Sequence, residues 1–161
     1  MKVIKGSVLV LGDNVDTDQI LPGYAMAEPF DQLGKFALAG CQNIEGKIQP
    51  GIIIVAGQNF GCGSSREQAP IALKMAGVSL IVAANFARIF RRNAINIGLS
   101  VYSADISGFV SDGDVIEVDM VNGIVTCGDK IFNAPPLSES ILKTLEYGGL
   151  IPKVRAELNL V

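Results

Sequence analysis

The sequence predicts an α/β fold with strands of mixed direction, and three patterns indicate it. Short apolar runs rich in β-branched residues alternate with helix-like segments over most of the chain. A strong hairpin signal stands at Asn122-Gly123, between two short runs of strand-forming residues. The length of 161 residues and the 49% hydrophobic content fit one domain with a sizeable core, so residues 1–161 are predicted to form a single domain.

Each element follows from apolar patterning and from the residues that interrupt it. The runs 52–56 and 79–84 are short and entirely apolar or nearly so, as expected of strands buried on both faces. Pro22 and Gly23 break the segment 15–26, which is predicted to be an irregular loop. The predicted strands are 7–11, 52–56, 79–84, 99–102, 115–120 and 124–127, and the predicted helices are 30–39, 69–76, 86–97 and 138–147, followed by a short segment at 151–158.

The third helix, 86–97, has an apolar and a basic side. Phe86, Ile89, Phe90 and Ile97 are predicted to face inward. Arg88, Arg91 and Arg92 then lie on other faces of the helix, where they can bind an anion or serve only as solvated charges.

Composition excludes several classes of function. Acidic residues outnumber basic ones by 16 to 13, which argues against binding to a nucleic-acid backbone. No apolar run approaches the roughly 18 residues that a membrane-spanning helix needs, and the first residues lack the apolar stretch of a signal peptide. The sequence therefore predicts a soluble, cytoplasmic protein with neither nucleic acid nor a membrane as partner.

The cysteine and histidine counts limit the chemistry further. Cys41, Cys62 and Cys127 are odd in number and far apart, as expected of free thiols rather than of disulfides or a metal site. The chain contains no histidine, which excludes a Ser-His-Asp triad and a Cys-His pair. The chain is thus expected to bind no metal or cofactor by itself, and any catalytic base must be another type of residue.

Residues 59–67, Asn-Phe-Gly-Cys-Gly-Ser-Ser-Arg-Glu, are the most informative segment. They follow a predicted strand and precede a predicted helix, where unpaired backbone N–H groups and the positive end of the helix dipole favour an anion. Arg66 adds a planar guanidinium that can bind a carboxylate through two parallel hydrogen bonds. Pro70 places the helix start only a residue or two before itself, which leaves Ser64 to Arg66 in irregular backbone. The alternative is that a serine caps the helix with Glu67 in a capping-box arrangement, while Arg66 is merely solvated.

Three segments together resemble the small subunit of the 3-isopropylmalate dehydratase family. They are 12–20 (Gly-Asp-Asn-Val-Asp-Thr-Asp-Gln-Ile), 57–68, and 86–98 (Phe-Ala-Arg-Ile-Phe-Arg-Arg-Asn-Ala-Ile-Asn-Ile-Gly). Their order and spacing match across nearly the whole chain. The resemblance implies the swivelling β/β/α domain of the aconitase superfamily, with a mixed sheet and flanking helices. It also implies a large partner subunit that holds a four-iron–four-sulfur cluster.

The resemblance assigns roles to residues of the motifs. It implies a reversible dehydration and rehydration of a malate-type dicarboxylic acid, in which Ser64 as an alkoxide is the base. Ser65, Arg66, Arg88 and Thr17 would bind the substrate, and Asp18 would orient the catalytic groups. From the residues alone, Asp18 fits a turn residue equally well.

The loop after Asp18 is expected to set substrate specificity. By resemblance, it is the segment that meets the variable substituent of the substrate, and relatives acting on tricarboxylic acids place an arginine there. Residues 19–34 contain no Lys or Arg, and Gly23, Tyr24, Ala25 and Met26 offer small, aromatic and thioether surface. Burial of an alkyl group is worth about 0.8 kcal/mol per CH₂, whereas a buried carboxylate would lack a counter-ion. This favours 3-isopropylmalate, as part of leucine biosynthesis, over homocitrate.

Other functions remain as alternatives. The enzyme could instead act on 2,3-dimethylmalate, citraconate or a related acid, or be the small subunit of a homoaconitase. A non-catalytic module that binds a carboxylate would use the same turn without needing Ser64. A dinucleotide-binding domain is disfavoured, because Arg66 stands where its fingerprint requires a small residue and no acid follows the strand 79–84.

Overall fold

The computed structural model describes residues 3–159, which contain one seven-stranded sheet with the strand order β4-β3-β2-β1-β5-β6-β7. Residues 1–2 and 160–161, which the single-domain prediction includes, lie outside the described range. The strands are β1 (Val3–Val10), β2 (Ile53–Ala56), β3 (Leu80–Ala83), β4 (Val101–Ser103), β5 (Val115–Asp119), β6 (Ile124–Cys127) and β7 (Lys130–Asn133). The helices are α1 (Thr17–Ile20), α2 (Gln68–Met75), α3 (Arg88–Asn96), α4 (Glu139–Glu146) and α5 (Leu150–Glu157), with 3₁₀ turns at Gly23–Ala25 and Phe30–Phe36.

Strand β1 belongs to two pairings of opposite sense. Its first part runs antiparallel to β5, from Val3 opposite Asp119 to Ser7 opposite Val115. Its last three residues run parallel to β2, with Val8 opposite Ile53. Strands β1 to β4 therefore form a parallel half and β5 to β7 an antiparallel half, which confirms the α/β class with mixed strand directions.

The core lies on both faces of the parallel half. All residues of β2 and β3 are buried, as expected when a parallel strand is covered on both sides. Alternate side chains divide between two clusters: Ile54 and Ile81 pack with the helices, whereas Val55 and Val82 pack against the opposite face with Tyr102. Within residues 3–159, none of the helices has the length and apolar character needed to cross a membrane.

Most predicted elements are confirmed with shifts of at most two residues at their ends, except that β1 begins four residues earlier than predicted. Helix α2 begins at Gln68, two residues before Pro70, so Ser64 to Arg66 lie in irregular backbone as predicted. Ser138 caps α4 by accepting a hydrogen bond from the N–H of Ile141, and Gly148 follows the helix with a positive φ of 85°.

Four predictions differ from the structure. Segment 15–26 is not wholly irregular, because α1 forms one helical turn that is closed by a capping box between Asp16 and Gln19. The helix predicted at 30–39 is a 3₁₀ helix over Phe30–Phe36, which ends sooner because the backbone of Ala37 is non-helical, with a ψ of 126°. Ile89 is 46% exposed rather than inward, since it lies in the first turn of α3 beside a cavity. Strand β7 was not predicted, because its four residues, of which only Phe132 is half-buried, are too few to show an alternating pattern.

Candidate active site

Three loops meet at the carboxyl edge of the parallel half of the sheet, each following a different strand. The loop after β2 lies between the loops after β1 and β3, with isolated bridges linking Asp16 to Cys62 and Phe60 to Phe86. The N–H of Gly61 donates to the carbonyl of Val15 at 2.8 Å. The carboxyl edge of parallel strands is the usual place for a ligand site in α/β folds. The glycine-rich turn is thus fixed at the position where such sites are found.

Gly61 is required by both its conformation and its surroundings. Its φ is +84°, and a Cβ atom built on it would lie 2.3 Å from Cγ of Phe90. The Phe90 ring cannot easily move, because it packs edge-on against Phe60 at 5.3 Å and stacks on Phe86 at 6.5 Å between ring centroids. The turn that presents the serines therefore rests on an aromatic cluster, and only glycine fits at the contact.

A cavity of about 570 Å³ opens beside this turn. One wall is the loop with Ser64, Ser65 and Arg66, and the other is the first part of α3 with Arg88 and Arg92. Both serines are exposed. Thr17 and Asn93 also line the cavity, so its polar groups are hydroxyls, an amide and three guanidinium groups, with no carboxylate among the lining residues. Such a lining favours an anionic ligand.

Arg66 is held by two acceptors on and after α1. Its Nη1 donates to Oδ1 of Asp18 at 2.7 Å and to the carbonyl of Leu21 at 2.9 Å. The Arg66 side chain is 19% exposed, whereas that of Asp18 is 69% exposed. The structure thus brings two predicted site residues, 48 positions apart in sequence, into direct contact. The carboxylate also neutralises part of the positive charge of the cavity.

Thr17 is buried, with 3% of its surface exposed, and its hydroxyl donates to the carbonyl of Ser64 at 2.8 Å. Its backbone N–H donates to the carbonyl of Cys62 at 2.9 Å. Thr17 lines the cavity, but the hydrogen bond of its hydroxyl is directed at the serine loop.

The capping interpretation of the serine motif is wrong. The residue at the N-cap of α2 is Glu67, in helical conformation, and no side chain caps the helix. Neither Ser64 nor Ser65 therefore caps the N-terminus of α2. The capping box of this region is instead at α1, where Asp16 accepts from the N–H of Gln19 and the Gln19 side chain accepts from the N–H of Asp16.

Arg92 lines the cavity, although the sequence analysis assigned only Arg88 of the three arginines on this helix to the site. It lies four positions after Arg88 on α3, so both point to the same side of the helix. This spacing was the signal available in the sequence. Its Nη2 lies 3.4 Å from Oδ1 of the neighbouring Asn93, which also lines the cavity.

The four residues predicted to set specificity do not line this cavity in the isolated chain. Gly23, Tyr24 and Ala25 form a 3₁₀ turn, and Met26 ends it. Ala25 is fully buried in the core, while Tyr24 is 72% exposed and packs edge-on against Phe36 at 6.1 Å. The link between this turn and the cavity is the bond from Arg66 to the carbonyl of Leu21, just before the turn.

The cysteines are free thiols, as predicted, and the described residues hold no group of three or more metal-binding side chains. Cys41 lies near Asp16, and burial together with that negative charge raises the pKa of its thiol. Cys62 is half-buried on the glycine turn. In residues 3–159 no donor set fits an iron–sulfur cluster.

Comparison with known proteins gives consistent matches. Residues 42–101 match the family model of the aconitase C-terminal domain. The chain is 47% identical to the methanogen homoaconitase small subunit of Methanothermobacter thermautotrophicus, over 92% of this chain and 89% of that protein. It is 46% identical to the 3-isopropylmalate dehydratase small subunit of Caldicellulosiruptor bescii, over 98% of both chains. It is 44% identical to the isopropylmalate/citramalate isomerase small subunit of Methanocaldococcus jannaschii, over 97% of this chain and 96% of that protein.

A solved structure shares the whole fold. The crystal structure of a 3-isopropylmalate dehydratase from Methanocaldococcus jannaschii superposes with a TM-score of 0.90 and 38% identity, over 98% of this chain and 96% of the other. The match includes both the parallel and the antiparallel half of the sheet, because nearly every residue is covered.

Proposed function

Because this chain belongs to the family of 3-isopropylmalate dehydratase small subunits, we propose that it is the small subunit of a hydro-lyase that interconverts 2-isopropylmalate and 3-isopropylmalate. The reaction is a dehydration followed by rehydration in the opposite sense, and it requires a larger partner subunit. The observation that supports it most directly is the cavity that combines Ser64 and Ser65 with guanidinium groups on both walls. A malate-type acid has two carboxylates, and such a lining provides partners for both.

Ser64 is the base in this proposal. As an alkoxide it takes the proton from the carbon beside a carboxylate, and the C–H electron pair becomes the double bond as the neighbouring hydroxyl leaves. An unperturbed serine is far too weak an acid to be deprotonated at neutral pH, so the alkoxide needs N–H donors and a cation in a site sheltered from water. The irregular turn and Arg66 provide the donors and the charge. Ser64 is exposed in the isolated chain, so the shelter must come from the partner.

Ser65, Arg66 and Arg88 bind the substrate carboxylates. Arg88 begins α3, so an anion beside it also meets the first backbone N–H groups of that helix, which lack partners within the helix. Asp18 orients Arg66 through the ion pair of 2.7 Å. Departure of the hydroxide needs a Lewis acid. The described residues do not fit a metal or cluster, so we assign the four-iron–four-sulfur cluster to the large subunit.

Homoaconitase is a second candidate that two observations favour. A close relative has that name. Arg92 also adds a third guanidinium to the cavity, which would match a third carboxylate even though residues 19–34 contain no arginine. The isopropylmalate activity is favoured by the uncharged turn at 23–26, provided that this turn reaches the substrate when the partner is bound. Substrates of the citraconate type suit the same turn.

The test is an assay of the complex with its large subunit, assembled without oxygen and with iron. Isopropylmalate, citraconate and homocitrate are compared by kcat/KM. The Arg92→Gln variant should lower kcat/KM for homocitrate much more than for isopropylmalate if Arg92 binds a third carboxylate. A preference of the wild-type complex for homocitrate would replace the first candidate by the second.

The Ser64→Ala variant tests the catalytic role itself. Loss of a general base costs about 10²- to 10⁴-fold in rate. Ser111→Ala, at an exposed loop serine outside the cavity, is the matched control and should retain full activity. If the complex with Ser64→Ala binds substrate but does not turn it over, the proposed role of Ser64 as the base is supported. A complex of wild-type chains that binds the acids without turnover would instead indicate the non-catalytic carboxylate-binding module.

A further inference from the structure

We propose that Thr17, which the sequence predicts to bind substrate, is instead a positioning residue that fixes the backbone of Ser64. This inference rests on the proposed function of Ser64 as base. Three hydrogen bonds connect segment 15–17 to the glycine turn at 61–64, one after another along the chain. The first two are backbone bonds, from Gly61 N–H to the Val15 carbonyl at 2.8 Å and from Thr17 N–H to the Cys62 carbonyl at 2.9 Å. The third, from the Thr17 hydroxyl to the Ser64 carbonyl, is 2.8 Å.

The Thr17 hydroxyl donates to the glycine turn at the point where the paired backbones of the two segments separate. After Thr17 the chain turns into α1, and at Gly63 the glycine turn bends away with a φ of +92°. A Cβ atom built on Gly63 would lie 3.5 Å from the Thr17 Oγ1, so the hydroxyl sits against the turn itself. A buried hydroxyl strongly favours being paired, and the acceptor of this one is the Ser64 carbonyl.

The next anchor along the loop after Ser64 is Arg66, whose side chain binds Asp18 and the Leu21 carbonyl. Ser64 and Ser65 are exposed, so packing does not fix their conformation. The next backbone contact along the loop is the N–H of Ala69, which donates to the Arg66 carbonyl at 3.2 Å. The bond from Thr17 restricts rotation about the Cα–C bond of Ser64, and the same Cα carries the side chain with the reacting hydroxyl. Because Thr is β-branched and this one is buried, its own χ1 is restricted, and the anchor is rigid.

A positioning role and a substrate-binding role give different kinetics. Misplacement of a reacting group by about 1 Å costs about a hundredfold in rate. Thr17→Val, assayed in the iron-loaded complex, should therefore lower kcat by about ten- to a hundredfold while KM changes little. Thr17→Ser keeps the hydroxyl and should recover most of the lost kcat. Thr17→Ala tests the same loss if the valine variant does not fold.

Thr144→Val is the matched control. Thr144 is also a buried threonine, and its hydroxyl donates to a carbonyl, that of Ser140, at 3.1 Å on α4 away from the cavity lining. It should reduce thermal stability as Thr17→Val does but leave kcat unchanged. In the isolated chain, the hydrogen-bonded amides of Gly61 and of residue 17 in the same contact should exchange with solvent faster in Thr17→Val than in the wild type or in Thr144→Val.

Several results would overturn the inference. A rise in KM with unchanged kcat would mean that Thr17 touches the substrate. Equal loss of kcat in Thr17→Val and Thr17→Ser would mean that the hydroxyl is not what matters. Ser64→Ala, assayed in parallel, separates this failure from that of the proposed function. If Ser64→Ala remains active, Ser64 is not the base and both proposals fall, whereas an inactive Ser64→Ala beside a fully active Thr17→Val overturns only the role of Thr17.

Discussion

Replacement of Gly61 by alanine tests how the serine turn is supported. The Cβ atom would lie 2.3 Å from Cγ and 2.5 Å from Cβ of Phe90, far inside contact distance, on a backbone with φ of +84°. Alanine at positive φ costs about 1 kcal/mol, and overpacking of a closed aromatic contact adds about 2 kcal/mol. The expected loss is thus about 3 kcal/mol, or roughly 6–12 °C in Tm for a chain of this length.

Two other glycines separate the contributions. Gly46 has a φ of +74° but no atom within 4 Å of a built Cβ, so Gly46→Ala should cost only about 1 kcal/mol from backbone conformation. Gly108 has open space and no positive φ, so Gly108→Ala should change stability by less than about 0.5 kcal/mol. Urea and thermal unfolding of the three variants measure the differences. If Gly61→Ala is no less stable than Gly46→Ala, the contact with Phe90 is not what requires glycine there.

Three further variants test other features of the chain. Asp18→Asn should lower stability by less than about 1 kcal/mol, since the carboxylate is largely exposed, yet reduce kcat/KM of the complex at least about tenfold because Arg66 loses its ionic partner. The backbone N–H of Val10, and after it Lys47, lowers the pKa of Asp112 in the folded chain. The stabilising effect of the Asp112 carboxylate is therefore complete above its unfolded pKa of about 3.9 and is lost as pH falls through the folded pKa. Urea unfolding measured against pH should show this loss in the wild type and not in Asp112→Asn. Tyr102→Phe should be neutral or stabilise by up to about 1 kcal/mol in urea unfolding, because the buried hydroxyl has no hydrogen-bond partner among the described residues.

Each of these has an outcome that contradicts it. Unchanged kinetics of Asp18→Asn would mean that Arg66 is positioned without the carboxylate. A constant stability difference between wild type and Asp112→Asn down to about pH 2 would mean that Asp112 has its ordinary pKa. A loss above about 1 kcal/mol in Tyr102→Phe would mean that the hydroxyl is paired, for example with a buried water.

The parallel half of the sheet was predictable because its signals are local. Strands β2 and β3 are continuous apolar runs, and Pro70 alone places the start of α2 within two residues. Strand β7 and the turn of α1 were missed for the opposite reason. Four residues are too few to establish a period, and Asp16 as a cap cannot be told from any other turn aspartate without the reciprocal contact of Gln19.

Many of the residues that line the cavity could be named from the sequence, but the contacts among them could not. The motif residues Ser64, Ser65 and Arg66 form one wall of the cavity, while their roles toward a substrate stay predictions. The ion pair of Arg66 with Asp18 and the bond from Thr17 join segments almost 50 positions apart, and no local pattern encodes such a contact. The turn at 23–26 was expected beside the substrate, but none of its four residues lines the cavity in the isolated chain.

The long connection between β1 and β2 begins with α1 and later returns to it. Two backbone hydrogen bonds mark this return, from Leu38 N–H to the Ile20 carbonyl at 2.7 Å and from Gly40 N–H to the Gln19 carbonyl at 3.0 Å. Gly40 approaches so closely that a built Cβ would lie 2.6 Å from the Cα of Gln19 and 2.7 Å from the carbonyl oxygen of Asp18. Ala25, Leu33 and Leu38 of the same connection are fully buried in the core, so an exchange of residues 22–39 between relatives with different names must carry matching core residues and keep glycine at position 40.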